Sequence, residues 1–211
     1  MKWIDKFRKP PVVSLDEIRR SFNEAAADEE HFPSQIDPRI FHVRLLLRYL
    51  GDLNGKRVID VGSGKGRFAR VFKQANPDGE FVCFDLAEAM LACVPRDIST
   101  CCGSMTALPF PEACFHAAYA TESLEHAVDI EAAVDEMCRV VAPGGRVANI
   151  DKKVEHWGKL NTPAWAKWFR REELEKLLRR HCSEVRSDFV SYWEDVPPDG
   201  LFLAWTGRKY S

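Results

Sequence analysis

The sequence predicts an α/β protein built on a doubly wound, mostly parallel sheet. Two observations carry this prediction. Short apolar segments of strand length alternate with segments of helical spacing along residues 57–150, which is the pattern of a parallel sheet covered by helices on both faces. The last two predicted strands are joined only by Pro-Pro-Asp-Gly at 197–200. This connection is too short for a crossover helix, so we expect an antiparallel hairpin there.

The segments follow in order along the chain. Ser14 and Glu17 form a capping-box pattern that opens a helix, and Gly51 ends a second one. The predicted helices cover residues 14–27, 39–50, 68–74, 87–93, 130–141 and 171–180. The predicted strands cover residues 57–61, 80–85, 98–102, 114–120, 145–150, 184–192 and 201–207. The Pro143-Gly144 turn precedes the fifth strand.

Length and composition exclude several classes of protein. The chain has 211 residues, 45% of them hydrophobic, and a net charge of −2. The length favours one domain, and the balanced charge argues against an obligate polyanion binder. No apolar run is long enough to span a membrane, and residues 1–10 lack the apolar centre of a secretory signal. Seven scattered cysteines without such a signal indicate reduced thiols and a cytoplasmic protein.

The most informative segment is Val58-Ile-Asp-Val-Gly-Ser-Gly-Lys-Gly66, where a strand runs into three glycines. Glycines let the backbone turn tightly and approach a ligand, and the next helix offers free N–H groups. A phosphate-binding Walker loop is excluded because Ile59 stands where its first glycine belongs. A dinucleotide fingerprint fits poorly because Arg67 replaces its third glycine. The observed pattern is Asp60-x-Gly62-x-Gly64-x-Gly66.

This pattern resembles motif I of the class I S-adenosylmethionine-dependent methyltransferases. Three later regions resemble the same family in order and spacing: Phe84-Asp85-Leu-Ala-Glu-Ala-Met90-Leu91, then Leu108-Pro-Phe110 with Phe115 to His126, and Glu136 to Gly145. The resemblance covers residues 57–151. It implies the Rossmann-like methyltransferase fold with seven strands, and S-adenosyl-L-methionine as cofactor.

The resemblance also implies which residues hold the cofactor. Asp85 stands 19 residues after Gly66, where the family has an acid that binds both ribose hydroxyls. Ser104 replaces the acid that usually accepts a hydrogen bond from the adenine amino group. The full set of expected cofactor-binding residues is Asp60, Gly62, Ser63, Gly64, Gly66, Asp85, Leu86, Ser104, Met105, Ala120 and Thr121.

Pro10-Pro11 separates an expected tail, residues 1–13, from one expected methyltransferase domain, residues 14–211. The expected parts of that domain are cap helices at 14–56, a cofactor-binding core at 57–151, an acceptor-site insertion at 152–170, and a C-terminal helix with the hairpin at 171–211.

Methyl transfer needs a base only when the acceptor carries a proton. The candidate bases near the strand ends are Glu122, Glu125, His126, Asp151 and His156. His126 has the most suitable pKa range and is the catalytic candidate; the alternative is a residue that orders its loop. The six acidic residues in 109–135, with no Lys or Arg, disfavour a nucleic-acid substrate.

The acceptor pocket is expected to include His156, Trp157 and Trp165 from the insertion. The alternative is that Trp165, Trp168 and Phe169 form the packing face of a helix. No metal site is expected, because the Cys101-Cys102 pair lacks zinc-ligand spacing.

The predicted function is methyl transfer to a small-molecule N, O, S or C nucleophile by in-line displacement. The alternatives are methylation of RNA or protein, and a catalytically silent cofactor-binding partner protein.

Overall fold

The computed structural model describes residues 13–191, 193 and 196–211. Almost all of the expected tail, residues 1–13, therefore lies outside the described residues. The helices are α1 (Leu15–Ala25), α2 (Phe41–Leu50), α3 (Arg67–Ala75), α4 (Glu88–Leu91), α5 (Ile130–Val140) and α6 (Arg171–Leu178). The strands are β1 (Arg57–Val61), β2 (Glu80–Asp85), β3 (Ser99–Cys102), β4 (Phe115–Thr121), β5 (Val141–Lys152), β6 (Cys182–Val190) and β7 (Phe202–Lys209).

The seven strands form one sheet in the order β3-β2-β1-β4-β5-β7-β6. Strands β1 to β5 pair in parallel, and β7 pairs antiparallel with both β5 and β6. The predicted fold class and the predicted C-terminal hairpin are confirmed. Because the strand order reverses between β1 and β4, the carboxyl ends of these two strands diverge into a crevice that suits a ligand.

Two apolar layers hold the helices against the sheet. Val43 and Leu46 of α2 and Phe68 and Phe72 of α3 are buried on one face. Residues of α5 and α6, such as Met137, are buried on the other. The sheet is therefore covered on both sides, which explains why its inner strands read as continuous apolar runs.

The predicted helix ends are present in α1 and α2. The Ser14 backbone N–H donates to the Glu17 carboxylate at 2.9 Å, and the Glu17 N–H donates to the Ser14 hydroxyl at 3.2 Å. Gly51 follows α2 with φ of 73°. These contacts satisfy backbone groups that a helix end leaves without partners.

Two segments differ from the sequence-based expectation. Strand β5 begins at Val141, four residues early, because its pairing with β4 shifts register across residues 142–145, which contain the predicted turn. The insertion forms a short 3-10 helix, Val154–His156, and has no α-helix in 157–170. Trp168 and Phe169 are nevertheless buried, and Phe169 bridges to Lys153 in parallel. Their packing comes from an extended chain and not from a helix face.

Among the described residues, no helix combines the length and the apolar character needed to cross a membrane.

Candidate functional site

A cavity of about 710 Å³ lies at the carboxyl ends of β1, β2 and β4. Its volume falls within the range of roughly 300–1,000 Å³ that is usual for small-molecule sites. The core contributes the glycine loop after β1, the end of β2, the loop after β3 and the loop after β4. The cap contributes α1 and residues 31–33, and the insertion contributes residues 160–163.

Glycine stands at the three positions of the loop for different structural reasons. All three have positive φ, between 53° and 73°, a region that side chains disfavour. A Cβ on Gly62 would lie 2.4 Å from the Ser123 Cβ, and one on Gly66 would lie 3.1 Å from the Cys83 Sγ. A Cβ on Gly64 would meet nothing within 4 Å. Gly62 and Gly66 therefore serve close packing, whereas Gly64 leaves space open beside the cavity.

Asp85 sits at the end of β2 beside that space. Its Oδ2 accepts a hydrogen bond from the Gly64 N–H at 2.7 Å, and its Oδ1 accepts one from the Ala87 N–H at 2.8 Å. A carboxylate oxygen has two lone pairs, so each oxygen keeps capacity for a ligand hydroxyl. Burial raises the pKa of Asp85, and the two N–H donors oppose that shift.

Asp60 lies behind the loop and does not line the cavity. It is buried, and burial raises its pKa to about 7, although a hydrogen bond from the Tyr119 hydroxyl at 3.0 Å lowers it. The other carboxylate oxygen, Oδ1, has no hydrogen-bond partner among the described residues. Such a buried oxygen is available to a donor from a ligand or a water molecule.

The end of β2 and the loop after β3 form another wall. Leu86, Ser104 and Met105 line the cavity together with Phe84 and Gly103. The Ser104 hydroxyl lies 2.7 Å from the Thr106 hydroxyl and accepts the Thr106 N–H at 3.3 Å. The serine that replaces the family's usual acid is therefore already engaged within its own loop.

Charged side chains alternate in sign along one side of the cavity. Arg67 donates to Glu122 at 3.0 Å, and the Lys152 Nζ lies 3.4 Å from Glu122 and 2.7 Å from Glu125. Burial opposes the charged form of Lys152, but Glu122, Asp151 and Glu125 raise its pKa. The same contacts with Lys152 and Arg67 lower the pKa of Glu122 against the effect of burial. This charge cluster is balanced and holds both cations in pairs.

His126 completes that side of the cavity. Its Nε2 lies 3.4 Å from the Glu125 Oε1, and its ring packs edge-on against Phe22 at 5.0 Å. Burial, and then the charge of Lys152, lower its pKa to about 3. The imidazole is therefore neutral at pH 7. Its Nδ1 is buried and has no partner within the described part of the chain.

The cap is fastened to the glycine loop. The Lys65 side chain is 1% exposed, and its Nζ donates to the Glu29 carboxylate at 2.6 Å and to the Asp28 carbonyl at 3.2 Å. Asn23 of α1 accepts the Ala89 N–H at 2.9 Å. These contacts position the apolar face of α1 over the cavity.

The structure gathers most of the predicted site residues. Those that line the cavity are Gly62, Ser63, Gly64, Asp85, Leu86, Ser104, Met105, Thr121 and His126. Asp60, Gly66 and Ala120 lie behind the lining. The predicted acceptor residues His156, Trp157 and Trp165 do not line this cavity; Trp157 instead packs on Trp168 at 5.2 Å. Their role in acceptor binding stays a prediction.

Sequence reasoning missed several lining residues. These are Leu15, Ile18, Phe22, Phe32, Lys65, Arg67, Lys152 and Leu160. The apolar spacing of α1 was the available signal for its three residues. No local sequence pattern marked Lys152 and Arg67 as lining residues, because their partners Glu122 and Glu125 are far away in sequence.

Comparisons with known proteins agree with this geometry. Residues 59–149 match the family model described as a methyltransferase domain. The chain is 30% identical over 138 residues to a demethylmenaquinone methyltransferase of Thermus thermophilus, covering 56% of this chain and 63% of that protein. It is 36% identical over 102 residues to the ubiquinone/menaquinone biosynthesis C-methyltransferase UbiE of Ralstonia nicotianae, covering 44% of this chain and 42% of that protein. The chain thus spans less than two thirds of either relative.

A solved structure extends the similarity over nearly the whole chain. The [4+2]-cyclase SpnF matches with a TM-score of 0.78 at 18% identity, covering 95% of this chain and 98% of that one. At this identity the match supports the fold alone. The family model, the relatives and the shared sheet agree, and together they support a class I methyltransferase domain with S-adenosyl-L-methionine as its methyl donor.

Proposed function

We propose that this protein transfers a methyl group from S-adenosylmethionine to a small-molecule acceptor by in-line displacement. The observation that carries the proposal is the cavity at the β1–β4 crevice, where Asp85 and the open side of Gly64 meet. When bound, the cofactor supplies a methyl carbon that accepts the acceptor's electron pair, while the carbon–sulfur bond breaks and its electrons stay on sulfur.

The chain's own residues fit this cofactor. Asp85 would accept the two ribose hydroxyls with its remaining lone pairs. Gly64 leaves room for close approach of the ligand, and Leu86 and Met105 offer apolar surface to the adenine. The unpartnered Asp60 Oδ1 would attract, directly or through water, the amino group at the other end of the cofactor. Most of the catalysis is then alignment and exclusion of water.

His126 would orient the acceptor. If its Nε2 carries the proton towards Glu125, Nδ1 presents a lone pair that accepts a hydrogen bond from the acceptor. A pKa of about 3 makes the imidazole a weak base. We therefore propose that His126 positions the acceptor through this hydrogen bond, and that the proton released by the acceptor passes to solvent water and not to the imidazole.

The acceptor is proposed to be a small molecule. The charge cluster contains two cations, Lys152 and Arg67, and two carboxylates, Glu122 and Glu125. It therefore offers no excess positive charge to a nucleic acid. One relative is named a demethylmenaquinone methyltransferase, and the other a ubiquinone/menaquinone biosynthesis C-methyltransferase. A ring carbon activated by a hydroxyl is therefore the first acceptor class to test.

A second candidate is a protein that binds the cofactor without methyl transfer. SpnF is named a [4+2]-cyclase although it shares this fold, so the fold serves more than one reaction. The deciding difference is turnover, because both functions need the same cofactor site.

The test begins with calorimetric titration of S-adenosylmethionine and S-adenosylhomocysteine, with NAD as control. Binding of both adenosyl ligands and not of NAD supports the site. A panel of phenols, quinols, amines, thiols and a bulk RNA is then incubated with methyl-labelled cofactor. Transfer to a small molecule supports the proposal. Binding without transfer to any acceptor favours the second candidate, and transfer to RNA alone overturns the small-molecule assignment.

A further inference from the structure

One part of the cavity wall is strongly apolar and has no expected contact with the cofactor. It is formed by eight residues: Leu15, Ile18, Phe22, Phe32, Pro33, Val128, Leu160 and Pro163. Ile18 is buried, but Leu15, Val128 and Leu160 are 37%, 36% and 40% exposed. These three, here called the rim, mark the solvent side of the cavity. Exposed apolar side chains gathered at one opening are typical of a binding surface.

The apolar wall is continuous with the polar side of the cavity. Phe22 packs edge-on against Phe32, with ring centroids 5.8 Å apart, and against His126, with ring centroids 5.0 Å apart. A molecule that lies along Phe22 would therefore contact an apolar surface at one end and His126 at the other.

The polar end has two atoms without partners. The Glu125 Oε1 is engaged by Lys152 at 2.7 Å and lies 3.4 Å from His126, but its Oε2 is buried and unpaired among the described residues. The same holds for the His126 Nδ1. Unpaired buried polar atoms lower stability, and a ligand hydroxyl that donates to either atom would remove that cost.

We propose that the acceptor is amphipathic, with a hydroxyl-bearing head at Glu125 and His126 and an apolar chain that lies along Phe22 and leaves over the rim. This inference rests on the proposed methyl transfer and names the class of acceptor for it. A sugar or nucleotide acceptor would leave the apolar wall in contact with polar groups, which is unfavourable.

The test uses 4-alkylphenols from ethyl to octyl, titrated into protein saturated with S-adenosylhomocysteine. Each methylene that reaches the apolar wall or the rim should tighten binding by up to about fourfold, from about 0.8 kcal/mol per buried CH₂. Hexylbenzene, which lacks the hydroxyl, should bind more weakly than 4-hexylphenol.

The rim variants Leu160→Asp and Val128→Asp should flatten the dependence on chain length. Val196→Asp is the matched control, because Val196 is 49% exposed and does not line the cavity. His126→Phe should remove the preference for 4-hexylphenol over hexylbenzene while keeping the dependence on chain length.

The outcomes separate this inference from the proposed function. Binding of S-adenosylhomocysteine with no dependence on alkyl length, or with equal dependence in Leu160→Asp, overturns the amphipathic acceptor and leaves the cofactor site intact. Absence of S-adenosylhomocysteine binding in the wild-type protein overturns the proposed function itself.

Discussion

Alanine at Gly62 and alanine at Gly64 should separate folding from cofactor binding. Both glycines have positive φ, 73° and 53°, and an alanine in this region costs about 1–2 kcal/mol. At Gly62 the new Cβ would also lie 2.4 Å from the Ser123 Cβ and 2.6 Å from its Oγ. Overpacking of this kind adds about 1–3 kcal/mol. We therefore expect Gly62→Ala to lose about 2–5 kcal/mol of unfolding free energy, and Gly64→Ala about 1–2 kcal/mol.

Binding of S-adenosylhomocysteine should be impaired by Gly64→Ala, although this variant is the more stable of the two. The Cβ that alanine adds at position 64 would enter the open space beside Asp85. The folded Gly64→Ala protein should therefore bind S-adenosylhomocysteine more weakly than the wild type, and its small loss of stability does not account for this. Urea denaturation measures the stability, and calorimetry measures the affinity.

The variant Ser123→Gly in the Gly62→Ala background supplies the control. Removing the Ser123 side chain relieves the contact, although it also removes the hydrogen bond from Ser123 to the Val61 carbonyl at 2.8 Å. The reasoning is refuted if Gly64→Ala unfolds as readily as Gly62→Ala, or if it binds S-adenosylhomocysteine as tightly as the wild type.

Three further predictions concern the same cavity. Asp85→Asn should weaken S-adenosylhomocysteine binding about tenfold or more in calorimetry, because charge-assisted hydrogen bonds to ribose are lost; unchanged affinity would contradict its role. Lys152→Met should lower the unfolding free energy by about 3–5 kcal/mol, since it leaves the buried Glu125 without its lysine and Glu122 with Arg67 alone, and Glu125→Gln should restore part of this in denaturant titrations. His126 keeps a folded pKa of about 3, below its unfolded value of 6.5. The unfolded chain therefore binds a proton first as pH falls below about 6.5, and His126→Gln should show a shallower loss of stability between pH 6.5 and 3; an equal loss would argue against the neutral buried imidazole.

The sequence predicted the sheet well because local signals agree with the global fold. Apolar runs and turn residues placed β1 and β2 at their observed bounds. The glycine loop and Asp85 could be found because their spacing depends on one helix and one strand between them. Strand β5 was predicted too short, because the register shift opposite Phe115 arises from pairing with β4 and leaves no local pattern.

The acceptor side was much less predictable. Three tryptophans made the insertion the natural candidate, but Trp168 is buried in the core and Trp157 packs against it. The insertion lines the cavity through Leu160 and Pro163, which join Phe22 and Phe32 of the cap. Lys152 meets Glu125 across 27 residues of sequence. Such contacts depend on how separate segments dock, which helical or strand periodicity does not encode.

The position of β7 has a consequence for synthesis of the chain. Among the described strands it is the last to leave the ribosome, yet it lies between β5 and β6 and carries the fully buried Trp205. Until residue 209 has emerged, one edge of β5 is unpaired and β6 lacks the strand that joins it to the sheet. Open edges template pairing with other chains. A cut or a premature stop between β6 and β7 should therefore yield a fragment that aggregates, with β1 to β5 intact and the site next to an exposed edge.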